Sequence, residues 1–191
     1  MDGSLTPRFH QALVYASQLH AGQLRKGTTV PYVSHLLGVA SLVLEHGGGE
    51  DGAIAGLLHD AVEDQGGKPV LEEIRRRFGD QVARIVEACT DADTVPKPPW
   101  RERKERYVAH IAQAPEDVRR VSSADKLYNA RAILLDYQTH GEALWSRFTG
   151  SRKGTLWYYR ALVTAFRSSG TSRLVEELDR VVTELESLAS A

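Results

Sequence analysis

The sequence predicts an all-α protein, a single bundle of about ten helices, and three observations lead to this prediction. Apolar residues recur three and four positions apart along nearly the whole chain, the spacing of amphipathic helices. No alternating run predicts a strand, and no repeat or low-complexity segment interrupts the pattern. A length of 191 residues, with 42% apolar and 26% charged residues, suits one globular domain with a real core. We therefore expect one domain over residues 1–191.

Capping residues and breaks define the helices in order. Thr6 predicts the first N-cap, and Pro7 suits the first helical position. Glycines 47–49 end the second helix, Gly79 splits a later pair, and three prolines between residues 91 and 99 predict a loop. The predicted helices are a first one through Leu19, then Leu36–Glu45, Gly52 to about Val62, Val70–Phe78, Gln81–Ala88, Arg101–Ala112, Pro115 to about Tyr137, Glu142–Phe148, Thr155–Arg167 and Ser172–Leu188.

Composition argues against several classes of protein. The formal net charge of -1 argues against a dedicated nucleic-acid-binding protein, which is usually strongly basic. No stretch approaches the roughly 20 apolar residues of a membrane span, and the N-terminus lacks a signal-peptide pattern, so we expect a cytoplasmic protein. The lone Cys89 excludes an intrachain disulfide and is expected to be a small buried hydrophobe.

One set of residues has metal-ligating chemistry. His and Asp supply imidazole nitrogen and carboxylate oxygen, which suit Mn²⁺, Fe²⁺, Zn²⁺ or Mg²⁺. A histidine and an aspartate end an apolar run, where an ionised Asp is costly unless it is paired or bound to metal. A buried ion pair or a helix-end cap is the alternative for that dipeptide alone. Taken with an upstream His and a downstream Asp in apolar surroundings, the expected ligands are His35, His59, Asp60 and Asp125.

Two further acids are expected to serve catalysis. Glu63 and Asp64 follow His59 and Asp60 by four residues, so on a continuous helix they share their faces. A carboxylate in that position can orient a hydrolytic water or take its proton. The alternative is a pair of solvated acids at a helix C-terminus, where negative charge opposes the helix dipole.

Cations near these motifs indicate a phosphate-ester substrate, and the alternative for any single cation is a solvated surface residue. Arg25 and Lys26 precede the first histidine, and lysine and arginine neutralise phosphate groups. Asn129 lies four residues after Asp125 and can bond a ribose hydroxyl or a base. Tyr158 can stack on a base or simply belong to the core. Further cations of the same kind are Lys97, Arg147, Arg152 and Lys153.

Five motifs together resemble the hydrolase domain of Rel/Spo-type enzymes and the small alarmone hydrolases, including the metazoan SpoT homologues. The resemblance covers most of the chain. The HD pair with a distant Asp is common to the whole HD superfamily, whereas RKG before the first His, combined with HDAVED and ADKLYN, is much more specific. The motifs are HAGQLRKG…PYVSH (20–35), AGLLHDAVED (55–64), RRRFGDQVARIVEACTD (75–91), ADKLYNAR (124–131) and LWYYRAL (156–162).

The resemblance implies an HD-domain fold, one Mn²⁺ per chain and removal of pyrophosphate from the 3′ position of (p)ppGpp or (p)ppApp. The residues that match the family's metal ligands are His35, His59, Asp60 and Asp125. Those that match residues acting on the hydrolytic water are Glu63 and Asp64. Those that match nucleotide contacts are Arg25, Lys26, Lys97, Asn129 and Tyr158.

Departures from the family pattern leave the base and the activity open. Leu36 replaces a usual proline, and Ser122-Ser123 replaces a usual Lys-Leu, so a contact to the substrate or behind the metal ligands is expected to be lost. The segment 141–154 does not match and is expected to shape one wall of the pocket. Similar hydrolases prefer adenosine alarmones, and metazoan relatives also act on NADPH. The alternatives are a 5′-nucleotidase, an NADPH phosphatase or a non-catalytic nucleotide sensor that has kept its metal.

Overall fold

The computed structural model describes residues 4–91, 96 and 98–190, and the described chain is helical apart from turns and one isolated β-bridge. The all-α prediction is confirmed. In order, the helices are α1 Pro7–Leu19, α2 Val33–Glu45, α3 Glu50–Leu58, α4 Ala61–Gln65, α5 Lys68–Phe78, α6 Asp80–Cys89, α7 Trp100–Ile111, α8 Glu116–His140, a 3₁₀ helix Gly141–Arg147, α9 Ser151–Ser168 and α10 Arg173–Ser190. Among the described helices, none combines the length and the hydropathy needed to cross a bilayer.

The start of α1 follows the prediction, whereas α2 starts earlier than predicted. The Thr6 hydroxyl accepts a hydrogen bond from the Arg8 amide at 3.2 Å, and Pro7 occupies the first helical position. Helix α2 begins at Val33 and not at Leu36, because the amide of His35 already donates to the carbonyl of Tyr32 at 2.9 Å. The first predicted metal ligand therefore lies inside the first turn of α2.

The predicted continuous helix from Gly52 to about Val62 is wrong. Helix α3 ends at Leu58, and α4 begins at Ala61 after a turn at His59 and Asp60. The imidazole Nδ1 of His59 lies 2.9 Å from the carbonyl oxygen of Gly56. In a continued α-helix the Gly56 carbonyl would accept the amide hydrogen of Asp60, so the imidazole of His59 competes with that bond. The ligand pair therefore lies at a helix break, where two adjacent side chains can turn toward one point.

The predicted α-helix Glu142–Phe148 is also wrong, because residues 141–147 form a 3₁₀ helix. Gly141 ends α8 with a positive φ of 55°, a conformation that glycine adopts without steric cost. The amide of Phe148 then donates to the carbonyl of Trp145, the three-residue spacing of a 3₁₀ turn. This tighter winding turns the chain between α8 and α9 while burying Leu144 and Trp145.

Helix α8 is the central element, and it packs against α2, α3 and α6 as well as against α9 and α10. Its 25 residues include a buried stretch from Val118 to Leu134. Apolar residues of α2 and α3, such as Leu36 and Ile54, are fully buried in the same core. A polar residue on the inner face of α8 is therefore surrounded by protein, which places Asp125 where only paired or metal-bound charge is favourable.

Candidate metal centre and adjoining cleft

The structure brings the four predicted metal ligands together from α2, from the turn after α3 and from α8: His35, His59, Asp60 and Asp125. The close packing of α2 on α8 requires Gly38, because a Cβ there would lie 2.0 Å from Cε2 of Tyr128. The ring of Tyr128 also packs against His35, with the centroids 5.1 Å apart. The absence of one side chain thus allows the helix contact that positions the first imidazole.

The ligating atoms face one another at short distances. Nε2 of His35 lies 3.2 Å from Nε2 of His59, and it lies 3.3 Å from Oδ1 of Asp125. Oδ2 of Asp60 lies 3.4 Å from the first imidazole nitrogen and 3.1 Å from the second. Donor atoms that each sit roughly 2.0–2.2 Å from one ion are separated by about these distances. The imidazoles of His35 and His59 and the carboxylate of Asp125 therefore form a group that suits one divalent cation, and Oδ2 of Asp60 lies against both imidazoles.

The protonation preferences of the cluster also favour a cation at its centre. The Nδ1–H of His59 donates to the Gly56 carbonyl, which leaves the Nε2 lone pair directed at the cluster. Burial lowers the pKa of His59, but the carboxylates of Asp60 and Asp125 outweigh burial and raise that pKa well above its usual value. Burial opposes ionisation of both carboxyls, but the imidazoles hold the pKa of Asp60 well below its usual range, and Lys126 together with the imidazoles does the same for Asp125. A divalent cation supplies the positive charge that these groups stabilise.

Two residues that hold the ligands were missed by sequence reasoning. The phenol of Tyr32 donates to Oδ2 of Asp60 at 2.6 Å, and its ring stacks on His20 with centroids 5.2 Å apart. Lys126 donates to Oδ2 of Asp125 at 2.5 Å. The sequence carries one signal for the lysine, since a cation next to a buried aspartate in an apolar stretch needs a partner. The tyrosine contact depends on packing between distant segments and has no local signal.

Asn129, which we expected to contact the nucleotide, is engaged with the metal ligands in this structure. Its Nδ2 donates to Oδ1 of Asp125 at 2.5 Å, and its Oδ1 accepts from Nη2 of Arg25 at 2.6 Å. The guanidinium of Arg25 also lies over the rings of Tyr32 and Tyr128, at 5.7 and 5.9 Å from their centroids. The side-chain amide of Asn129 thus connects Arg25, in the loop after α1, to Asp125 through two hydrogen bonds.

Of the two candidate catalytic acids, Asp64 contacts the loop after α1. Its Oδ2 accepts from Nε2 of Gln23 at 2.8 Å, and Gln23 in turn bonds His20 and Gln65. Burial raises the pKa of Asp64, and the charge of Asp60 adds to that effect. Gln23 therefore fixes the orientation of the Asp64 carboxylate.

A cleft of about 520 Å³ opens beside the metal cluster, and Arg25, Lys26, Tyr32 and Asn129 line it. The wall that faces these polar residues includes the aromatic ring of Phe148, from the segment that we expected to form a pocket wall. This volume lies in the range of small-molecule sites. Positive side chains, an aromatic surface and a metal cluster at one end are the features that a phosphorylated nucleotide requires.

Some of the expected contacts lie elsewhere. Lys97 falls outside the described residues. Tyr158 is buried beside Lys104, whose Nζ lies 4.9 Å from the ring centroid, and its neighbour Tyr159 lines the cleft. Ser122, which stands where relatives of this type usually have lysine, is buried and bonds the hydroxyl of Tyr107 at 2.7 Å.

Two of the further cations are paired with acids within the chain. Nη1 of Arg147 lies 3.1 Å from Oδ2 of Asp136, and Nη1 of Arg152 lies 3.3 Å from Oε1 of Glu142. These arginines therefore neutralise carboxylates of the fold, which reduces the positive charge that they offer to a phosphate.

Comparisons with known proteins agree with this geometry. The HD domain family model matches residues 12–156. The guanosine-3′,5′-bis(diphosphate) 3′-pyrophosphohydrolase MESH1 of Xenopus tropicalis is 41% identical over 126 residues, 64% of this chain and 68% of its own length. The human MESH1 is 38% identical over 134 residues, covering 69% and 72%. A solved structure of a metazoan ortholog of SpoT that hydrolyses ppGpp superposes with a TM-score of 0.79 at 26% identity, over 95% of this chain and 97% of that one. The chain therefore belongs to the HD-domain family and is a relative of the MESH1 pyrophosphohydrolases.

Proposed function

We propose that this protein is a Mn²⁺-dependent 3′-pyrophosphohydrolase of purine alarmone nucleotides, (p)ppGpp or (p)ppApp, and that residues 1–191 act as one catalytic domain. The observation that carries the proposal is that Tyr32 and Asn129, which bond Asp60 and Asp125 of the metal cluster, line the same cleft as Arg25 and Lys26. The relatives named as ppGpp pyrophosphohydrolases support the same reaction. A 3′-diphosphate bound by these cations is directed toward the metal ligands.

The reaction breaks the bond between O3′ of the ribose and the phosphorus attached to it. Water attacks that phosphorus, its oxygen becomes part of the pyrophosphate product, and the nucleotide departs with O3′ as the leaving oxygen, which takes up a proton. A divalent cation held by the two imidazoles and two carboxylates would acidify the attacking water and polarise a phosphate oxygen. We propose Mn²⁺ for this role, and the same donor set also suits Fe²⁺, Zn²⁺ or Mg²⁺.

The residues of the chain have separate tasks in this proposal. Asp64, whose carboxylate is oriented by Gln23 at 2.8 Å, accepts the proton of the attacking water. Glu63 helps to orient that water. Arg25 and Lys26 offset the negative charge of the diphosphate as the water attacks it.

Three contacts to the nucleotide remain from the family resemblance. Asn129 binds the ribose when its bond to Arg25 is exchanged for one to the nucleotide. Lys97, outside the described residues, adds positive charge, and Tyr158 contributes an aromatic surface. Each is a separate prediction, and of the three only Asn129 also bonds a metal ligand, Asp125.

A turnover panel tests the proposed function. The metal-loaded protein is incubated with ppGpp, ppApp, NADPH and nucleoside 5′-monophosphates, and the products are separated by anion-exchange chromatography. The proposal predicts pyrophosphate together with GDP or ADP from the alarmones, and no turnover after chelation. Orthophosphate from a 5′-monophosphate or from NADPH, with both alarmones untouched, would place the protein among the nucleotidases or phosphatases. Binding without turnover of any of them would identify a sensor.

A further inference from the structure

One acidic residue lies in the cleft that otherwise suits a polyanion. Asp136 of α8 lines the same cleft as Arg25 and Lys26, and its side chain is 39% exposed. A carboxylate repels phosphate groups at close range. A carboxylate is favourable in a nucleotide cleft where the ligand presents hydrogen-bond donors, and a nucleotide presents them on its base and on its free ribose hydroxyl.

Arg147 holds the side chain of Asp136 in place, and Gly27 in the loop after α1 leaves room for that arginine. Nη1 of Arg147 donates to Oδ2 of Asp136 at 3.1 Å. The stem of the same arginine lies over Gly27, where a Cβ would come within 2.9 Å of Cδ of Arg147. Gly27 also has a φ of 73°, which side chains rarely adopt. The glycine thus allows the arginine to reach across the loop and hold one oxygen of the carboxylate.

The metal cluster and Asp136 mark the two ends of one helix face. Asp125, Asn129 and Asp136 are separated by four and seven residues, which places them on one side of α8. At about 1.5 Å per residue, Asp136 lies roughly 16 Å along the helix from Asp125. The loop runs alongside, with Arg25 bonded to Asn129 and Gly27 beneath the partner of Asp136. A nucleotide whose 3′-diphosphate lies at the metal end therefore extends its base toward Asp136.

We propose that Asp136 contacts the base of the nucleotide and selects guanine over adenine. This inference rests on the proposed function, which sets the direction in which the substrate lies in the cleft. Guanine presents N1–H and the N2 amino group side by side, and a carboxylate accepts from both. Adenine presents an unprotonated N1 at the matching position, and its lone pair faces the carboxylate.

Specificity constants for the two alarmones test this inference. We compare kcat/KM for ppGpp and ppApp in the wild type, in Asp136→Asn and in Asp136→Ala. The wild type is expected to prefer ppGpp, and either variant is expected to lose about ten- to a hundredfold in kcat/KM for ppGpp while ppApp changes much less. Asp80→Asn is the matched control, because it removes one carboxylate whose side chain is 92% exposed at the start of α6.

A binding experiment separates this inference from the proposed function. GDP and ADP are titrated into the Mn²⁺-loaded wild type and Asp136→Asn, and affinities are measured by calorimetry. A guanine preference that disappears in the variant supports the inference even if neither alarmone is hydrolysed, an outcome that would refute only the proposed function. An unchanged guanine-to-adenine ratio, or an equal loss for both bases, would overturn the inference and leave Asp136 as the structural partner of Arg147. A wild-type preference for adenine would overturn it as well.

Discussion

Replacing Asn129 by alanine is expected to weaken metal binding even when no nucleotide is present. The amide donates to Oδ1 of Asp125, the oxygen that lies 3.3 Å from Nε2 of His35. Its loss frees that oxygen to rotate and removes a partner of a buried carboxylate, which is 5% exposed. A substrate contact alone would leave the affinity for the metal unchanged. The experiment therefore distinguishes the role predicted by family resemblance from the role indicated by the structure.

The magnitude follows from the type of bond that is lost. A hydrogen bond to a charged group contributes about 1.5–3 kcal/mol, and loss of a group that orients a metal ligand typically costs 10- to 100-fold in metal affinity. Lys126 keeps Oδ2 of the same carboxylate paired at 2.5 Å. We therefore expect the lower part of that range, about a tenfold rise in the dissociation constant for Mn²⁺.

The assay is calorimetric titration of Mn²⁺ into chelator-treated protein. Gln138→Ala is the matched control, because it removes an amide from an exposed position on the same helix. Circular dichroism verifies that both variants keep the fold. Wild-type Mn²⁺ affinity in Asn129→Ala, combined with a higher KM for the nucleotide, would refute the structural role and restore Asn129 as a substrate contact only.

Four further predictions concern the site and the lone thiol. Asp60→Ala is expected to abolish Mn²⁺ binding and turnover together, and stoichiometric metal in an active variant, measured by elemental analysis, would contradict this. Glu63→Gln and Asp64→Asn are expected to keep the metal but to lower kcat by about 100-fold or more; normal turnover would make them solvated acids. Arg25→Ala is expected to raise KM for a 3′-diphosphate nucleotide about ten- to a hundredfold, with a smaller effect on a 3′-monophosphate. Burial raises the pKa of Cys89 to about 12, so its reaction with a thiol reagent near neutral pH is expected to be slow in the folded protein and fast after unfolding.

Local chemistry made most helix ends predictable. The hydroxyl of Thr6 and the fixed φ of Pro7 act within one turn, and both are found where expected. Gly79, with a φ of 90°, separates α5 from α6 as the sequence predicted. The 3₁₀ helix at Gly141–Arg147 was not predictable in the same way, because apolar residues at helical spacing do not distinguish a tight turn between two packed helices from a short α-helix.

The metal ligands were predictable because their residue types have few other uses in an apolar environment. A buried histidine or aspartate needs a partner. Two histidines and two aspartates in apolar surroundings can satisfy one another, or a shared cation, when the fold brings them together. The residues behind them depend on tertiary packing instead. Tyr32 reaches Asp60 across 28 positions of the sequence, and Gln23 reaches Asp64 across 41. No periodicity or motif spacing specifies such a contact.

The helix break at His59 and Asp60 brings together two side chains that a continuous helix would point apart. Adjacent residues of a continuous helix point about 100° apart, yet Nε2 of His59 and Oδ2 of Asp60 are 3.1 Å apart. The turn between α3 and α4 permits this, and the bond from the imidazole to Gly56 holds it in place. Beyond the turn, the amide of Asp64 still donates to the carbonyl of Asp60 at 3.0 Å. The four-residue relation between Asp60 and Asp64 therefore survives the break, which is why a prediction based on the wrong helix still placed Asp64 one turn after Asp60.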